Sequence, residues 1–256
     1  MSLRILCLHA HPDDAEILAG GTLALLAERG HKVIIASMTA GDCGSDTRRP
    51  EEISDIRRTE AARAAAMIGA EYVCLGFHDL MIFQDDAARR RVTAALRKHR
   101  ADIILTASPR DYHCDHEATS LLVRDACFAC SAPNYGTAAF GPAPALTQIP
   151  HLYFVDPIEG VDRDGLPQPP QFVVDVGSVM ETKKRMLASH ESQRAWLQRQ
   201  HRIDDYIDQM EQWSAKRGAL AGLAFGEGFR HYTGHPWPCE PVLEEALGTE
   251  LAKAPL

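Results

Sequence analysis

The chain has 256 residues, 45% hydrophobic and 24% charged, with a formal net charge of -8. That length and balance describe one large domain, residues 1–256, with enough apolar sequence for a sizeable core. The acidic balance argues against a mainly electrostatic nucleic-acid binder, and no stretch approaches the ~20 apolar residues of a membrane span. Met-Ser-Leu-Arg leads straight into strand-like sequence, so no signal peptide is expected. Seven scattered cysteines, an odd number, read as reduced thiols in a cytoplasmic protein. A homo-oligomer stays open.

Strand-like and helix-like segments alternate. A strand-like segment over 4–9, built on the apolar run 3–8, is followed by His11-Pro12-Asp13-Asp14-Ala15-Glu16 and a helix over 16–29, which Gly30 closes. A strand over 32–38 precedes a helix over 53–68, closed by Gly69. A strand over 72–75, a helix over 85–100 and a strand over 102–106 follow. The polar cluster His113-Cys114-Asp115-His116 then opens a helix over 116–130. The Pro/Gly/Ala-rich stretch 132–148 is expected to be a long surface loop beside the site, a lid or specificity loop within 131–150. Strands over 151–155 and 172–176 and helices over 179–200 and 204–216 complete the pattern. Together these imply an α/β, Rossmann-like three-layer fold. Its mostly parallel sheet has the order 3-2-1-4-5, with helices on both faces and additional C-terminal helices. In that order the crevice opens between strands 1 and 4, where both polar clusters fall.

A catalytic zinc takes three protein ligands and keeps one open position. His11, Asp14 and His116 supply two nitrogens and an oxygen. Asp13 is left over as general base for a water acidified by the metal. His113 can face the substrate carbonyl, and Asp115 is expected to accept a hydrogen bond from His113 and keep it protonated. Iron or cobalt can substitute for zinc, since affinity does not fix metal identity. His9 reads as a buried, hydrogen-bonded neighbour rather than a ligand. Asp13, Asp14, Glu16 and Asp115 leave a two-metal phosphoesterase as a weaker variant.

HPDDAE, Thr39-Ala40-Gly41-Asp42, Arg57-x-x-Glu60 and HCDH occur in order. Together they resemble the PIG-L/LmbE-like zinc deacetylases over about the first 130 residues, and more thinly at His190-Glu191-Ser192-Gln193 and Gly226-Glu227-Gly228-Phe229. The resemblance implies a Rossmann-like hydrolase that removes an N-acyl group from an N-acetylglucosamine-like small molecule. It implies His11, Asp14 and His116 as zinc ligands, Asp13 as base, His113 as electrophilic or acid partner, and Asp42, Arg57 and Asp79 as sugar-binding residues. Cys114 stands where many relatives have Pro, and Asp42 where many have Glu. A tyrosine found near the site in some relatives has no obvious counterpart, Tyr112 being one residue displaced. Trp196, Trp213 and Trp237 read as packing residues. The competing readings are a nucleotide-binding oxidoreductase or transferase, a catalytically silent binding protein of the same fold, and a metal-dependent hydrolase of another amide. The first lacks GxGxxG after strand 1, where the acidic loop would repel a pyrophosphate.

Overall fold

The computed structural model describes residues 2–201 and 206–256. Eight strands form one sheet: β1 (Arg4–His9), β2 (Lys32–Thr39), β3 (Glu71–Phe77), β4 (Ile103–Thr106), β5 (His151–Val155), β6 (Phe172–Asp175), β7 (Gly226–His231) and β8 (Ala252–Lys253). Their order is β3-β2-β1-β4-β5-β7-β6-β8. The expected 3-2-1-4-5 order is present as parallel pairs, extended by the antiparallel β7, β6 and β8. The helices are α1 (Asp14–Glu28), α2 (Pro50–Ala66), α3 (Asp86–His99), α4 (Cys114–Cys130), α5 (Met180–Ala188), α6 (Glu191–His201), α7 (Tyr206–Ala219) and α8 (Val242–Leu247).

The near-continuous apolar run of β1 is buried on both faces, as a central parallel strand requires. Ile5 and Cys7 join the core shared with Leu23 and Leu26 of α1 and with Met186 of α5. Leu6 and Leu8 join the opposite core, with Val92 and Leu96 of α3 and Leu122 and Val123 of α4. Thus α1 and α4 leave neighbouring strands toward opposite faces, and the crevice opens between their N-termini.

β7 escapes the strand pattern because its sequence is GEGFRH. Its glycines serve close approach: a Cβ on Gly226 would lie 2.4 Å from Val173 Cγ1, and one on Gly228 1.9 Å from Asp156 Oδ2. Between them Glu227 points into the protein. In the middle of α1, the consecutive N–H groups of Gly21 and Thr22 each donate to its carboxylate at 2.8 Å. Lys183 of α5 donates to the same group at 2.7 Å and to Ser214 of α7 at 3.1 Å. This buried cluster ties α1, α5, α7 and β7 together.

The single helix expected over 179–200 is two helices, α5 and α6, with a corner at Ser189-His190. Arg63 of α2 donates to the Ser189 carbonyl at 2.7 Å. Glu60 accepts the Ser192 N–H at 2.9 Å and its hydroxyl, anchoring the start of α6. The corner thus depends on partners more than 120 positions away in sequence, which periodicity does not reveal. The helix expected over 204–216 is α7, and its first two positions lie outside the described residues.

The loop 131–150 is not beside the crevice. α4 runs back from the C-terminal ends of the strands, so the loop begins at the opposite edge. There Arg97 of α3 holds it, donating to the carbonyls of Cys130 (3.0 Å), Tyr135 (2.9 Å) and Ala132 (2.7 Å). No residue of that loop lines the cavity described below.

Lys183→Met leaves Glu227 charged and buried without its cation. Breaking such a pair costs about 3–5 kcal/mol, so urea unfolding should show a loss of that size.

Candidate metal centre and active site

The chain leaves β1 into a tight turn. The Asp14 carboxylate accepts the His11 N–H at 2.8 Å, closing the turn on itself. Asp13 is held at φ 100°, a conformation that L-residues pay for in strain, while its carbonyl accepts from Ile17 at 3.0 Å and starts α1. At the end of β4, His113 is the N-cap of α4, its Nδ1 accepting the Asp115 N–H at 3.1 Å.

Two carboxylates fix two imidazoles. His11 Nε2 is 3.1 Å from Asp115 Oδ2, and His116 Nδ1 is 3.0 Å from Asp111 Oδ1. Their other nitrogens converge on one carboxylate. His11 Nδ1 is 3.5 Å from Asp14 Oδ2 and His116 Nε2 is 3.4 Å from Asp14 Oδ1. Two nitrogens and a carboxylate turned toward each other, with each imidazole's far nitrogen fastened to a carboxylate, suit a divalent ion. His113 stands in the same cluster: one ligand atom each of His11, His113 and His116 lie within 4.8 Å of one another.

The electrostatics follow from burial and this crowding. Burial opposes the charge on His11, but hydrogen bonds to Asp115 and Asp14 outweigh it and raise the pKa to about 9. Burial likewise opposes the charge on His116, yet Asp14 and Asp111 raise its pKa well above the usual imidazole value. Asp14, in spite of burial, is held well below the usual carboxylate range by His116 and His11. Ion uptake must therefore release protons.

Asp13 is raised instead. Burial dominates, against the pull of the Arg57 charge and the Tyr206 hydrogen bond. Its Oδ2 accepts the Tyr206 hydroxyl at 2.5 Å, and Oδ1 lies 3.7 Å from the Arg57 guanidinium. Oδ1 is thus the oxygen more open to a new proton.

His113 differs from the expectation. Burial and the neighbouring charges of His11 and His116 lower its pKa. A backbone N–H can only donate, so Nδ1 is the unprotonated nitrogen and neutral His113 carries its proton on Nε2. Asp115 does not hold His113 protonated; its carboxylate takes His11 and the Leu80 N–H, the latter at 2.7 Å. Leu80 is pinned there at φ 62°. His9 is buried, with a pKa that burial lowers to about 4. Neither of its ring nitrogens has a hydrogen-bond partner among the described residues.

A cavity of about 420 Å³ opens over this centre. It is lined by His11, Asp13, Asp14, His113 and His116, and also by Arg57 and Asp79. Arg57 donates to the carbonyls of Pro12 (2.9 Å) and Gly41 (3.4 Å). Asp79 accepts the Thr39 hydroxyl and the Cys43 N–H. Asp42 is not among the lining residues; its carboxylate takes His78 Nδ1 at 2.7 Å and the Asp79 N–H at 2.8 Å. The outer wall comes from α6 and α7, with Gln193, Trp196, Tyr206 and Trp213. His190 lies behind them, its Nε2 3.5 Å from Glu16. Tyr112 lines the cavity too, its ring edge-on to His113 and His116.

Sequence reasoning missed Asp111, Tyr206 and the two tryptophans. Asp111 lies five residues before His116, where a carboxylate orienting a ligand imidazole is a plausible thing to seek. Tyr206 and Trp213 carried no local signal, because they come to the cavity from α7, far along the chain from Asp13.

The fold and this centre define an α/β protein with a histidine–carboxylate centre at the switch point of a parallel sheet. Residues 6–127 match the model of the PIG-L family, GlcNAc-PI de-N-acetylase. The chain is 28% identical over 198 residues to a diacetylchitobiose deacetylase of Thermococcus kodakarensis, covering 74% of this chain and 70% of the relative. It is also 28% identical over 156 residues to a 4-oxalmesaconate hydratase of Pseudomonas putida, covering 57% of this chain and 60% of the relative. An N,N'-diacetylchitobiose deacetylase structure from Pyrococcus horikoshii superposes with a TM-score of 0.78 at 24% identity, covering 94% of this chain and 87% of that one. That likeness shows the shared fold. The chain belongs among enzymes, the relatives being named for deacetylase and hydratase activities.

Asp111→Ala frees the His116 ring. Divalent-ion affinity, measured by competition with a chelating dye, should fall about 10–100-fold, the usual effect of losing a group that orients a ligand. Tyr206→Phe removes a hydrogen bond that favours ionised Asp13, so the Asp13 pKa rises further. If Asp13 must be ionised to work, the acid limb of the pH–rate profile moves to higher pH, with the metal content unchanged.

Proposed function

We propose that the chain is a zinc-dependent N-deacetylase that removes an acetyl or related acyl group from an N-acetylglucosamine-like amino-sugar conjugate. The observation that carries this reading is the separation of roles between neighbours. Asp14 faces His11 and His116, whereas Asp13 is turned to Tyr206 and Arg57 with one oxygen toward the cavity. The deacetylase relative and the family match support it.

His11, Asp14 and His116 would hold the ion, which when bound polarises the amide carbonyl and acidifies water. Asp13 Oδ1 takes the proton from the attacking water, and its raised pKa suits it to return that proton to the departing amine. Burial and the strained turn fix the carboxylate, and Tyr206 holds its other oxygen. His113 Nε2–H donates to the carbonyl oxygen as negative charge develops there. As a neutral donor it needs no protonation to do so. Arg57 props the Pro12 and Gly41 carbonyls and faces Asp13, so it supports the base as well as lining the cavity. Asp79, proposed to contact the sugar, would do so with oxygens it already shares with the Thr39 hydroxyl and the Cys43 N–H; Asp42 does not line the cavity and would act only by holding the Asp79 N–H.

The hydratase relative makes water addition to a carbon–carbon double bond the competing chemistry. The two separate on product: only amide cleavage yields an amine. The metal-loaded chain should release amine from N-acetyl amino sugars. Asp13→Asn should keep its metal and lose on the order of 100-fold or more in kcat. Full activity in Asp13→Asn, or no amine from any N-acyl sugar, would overturn the reading.

A further inference from the structure

The inner and outer walls of the cavity are chemically unlike. Toward β1 and β4 it is lined by the histidine–carboxylate centre. Away from them it is lined by Ile17, Trp196, Leu197, Met210 and Trp213. These come from three helices at helical spacing. Ile17 lies one turn beyond Asp13 and Asp14 on α1. Trp196 and Leu197 follow Gln193 at i+3 and i+4 on α6. Met210 and Trp213 follow Tyr206 at i+4 and i+7 on α7, one continuous face. Tyr206, which touches Asp13, is the first member of that face, so the apolar wall starts at the base itself.

The polar side chains nearest this wall are largely committed. Arg57 gives its two terminal nitrogens to two carbonyls and Asp13, with Nε alone left unpartnered among the described residues, and Tyr206 donates to Asp13. Gln193 Oε1 is buried with no partner among the described residues and can receive one donor. A bare sugar pressed against indole, thioether and aliphatic groups would bury hydroxyls with few partners, which is costly. An alkyl or aryl group there would instead remove apolar surface from water on both sides.

We infer that the substrate is amphipathic, its amide at the histidine–carboxylate centre and an alkyl or aryl group against the wall formed by α1, α6 and α7. The inference rests on the amide-hydrolysis reading and adds the class of group that distinguishes the substrate. Such a group can belong to the acyl side or to the aglycone of the amine side.

The test uses the metal-loaded full chain and three compounds: N-acetylglucosamine, its n-octyl glycoside, and N-octanoylglucosamine. Binding is measured by calorimetry and turnover by amine release. One octyl compound at least should bind roughly tenfold or more tighter than N-acetylglucosamine, as burial of several methylenes predicts. Which one does so places the chain on the aglycone or the acyl side. Trp213→Ala, and separately Trp196→Ala in case the first fails to fold, should bring that ratio down toward one. Equal or absent binding of all three compounds, or a preference that survives both variants, overturns the inference. Tenfold tighter octyl binding without amine from any compound upholds the apolar wall as the part that reads the substrate while the amide reading falls. Equal amine release from all three leaves the amide reading standing while the inference falls.

Discussion

The carboxylate of Asp14 is the constraint on which the rest of the centre depends. It accepts the His11 N–H and so closes the turn after β1. Its two oxygens also face the free nitrogens of His11 and His116. One group thereby sets the backbone, the spacing of the two imidazoles and the direction of Asp13, which the closed turn leaves at φ 100°. The first turn of α1 reinforces this, since its exposed N–H groups favour negative charge. Moving Asp14 would disturb the candidate base and the candidate ligands together.

Around it the charges are arranged in pairs with unequal outcomes. Asp14 and Asp115 are held ionised by the histidines and N–H groups they meet, while Asp13 is pushed the other way by burial. Adjacent residues of the same type are thus driven apart in acidity by their partners, the pattern by which proton-transfer groups are separated from fixed charges. The helix cap on His113 contributes in a different manner: a backbone donor chooses its tautomer without any charged neighbour.

Much of this was legible in the sequence because it is local. HPDD follows a run of apolar residues, HCDH follows another, and a parallel sheet brings such strand ends together at its switch point. The five parallel strands and first four helices follow from alternation and glycine stops. What was not legible is what arrives from far along the chain. Tyr206 meets Asp13 across 193 positions of sequence, from the first residue of α7. β7 was hidden by glycines that packing requires. The loop 131–150 was placed at the wrong end because its composition suggested a lid, whereas the direction of α4 already fixed where it must start. Asp115 was assigned to the nearer histidine in sequence, and the fold gives it to His11.

The carboxylate of Glu227, lodged against the middle of α1 and neutralised by Lys183, bears on how this protein can be cut and recombined. The stretch recognised by family likeness ends at residue 127, a century of residues before that glutamate. A fragment ending there would keep every candidate ligand and the base. It would also strip α1 of the partner to its central N–H groups and Asp13 of the hydroxyl that holds it. The inheritable unit of this chemistry is therefore larger than the segment by which it is recognised, and a chimaera that grafts a foreign C-terminal part onto the first 127 residues must bring its own acid for Gly21 and Thr22.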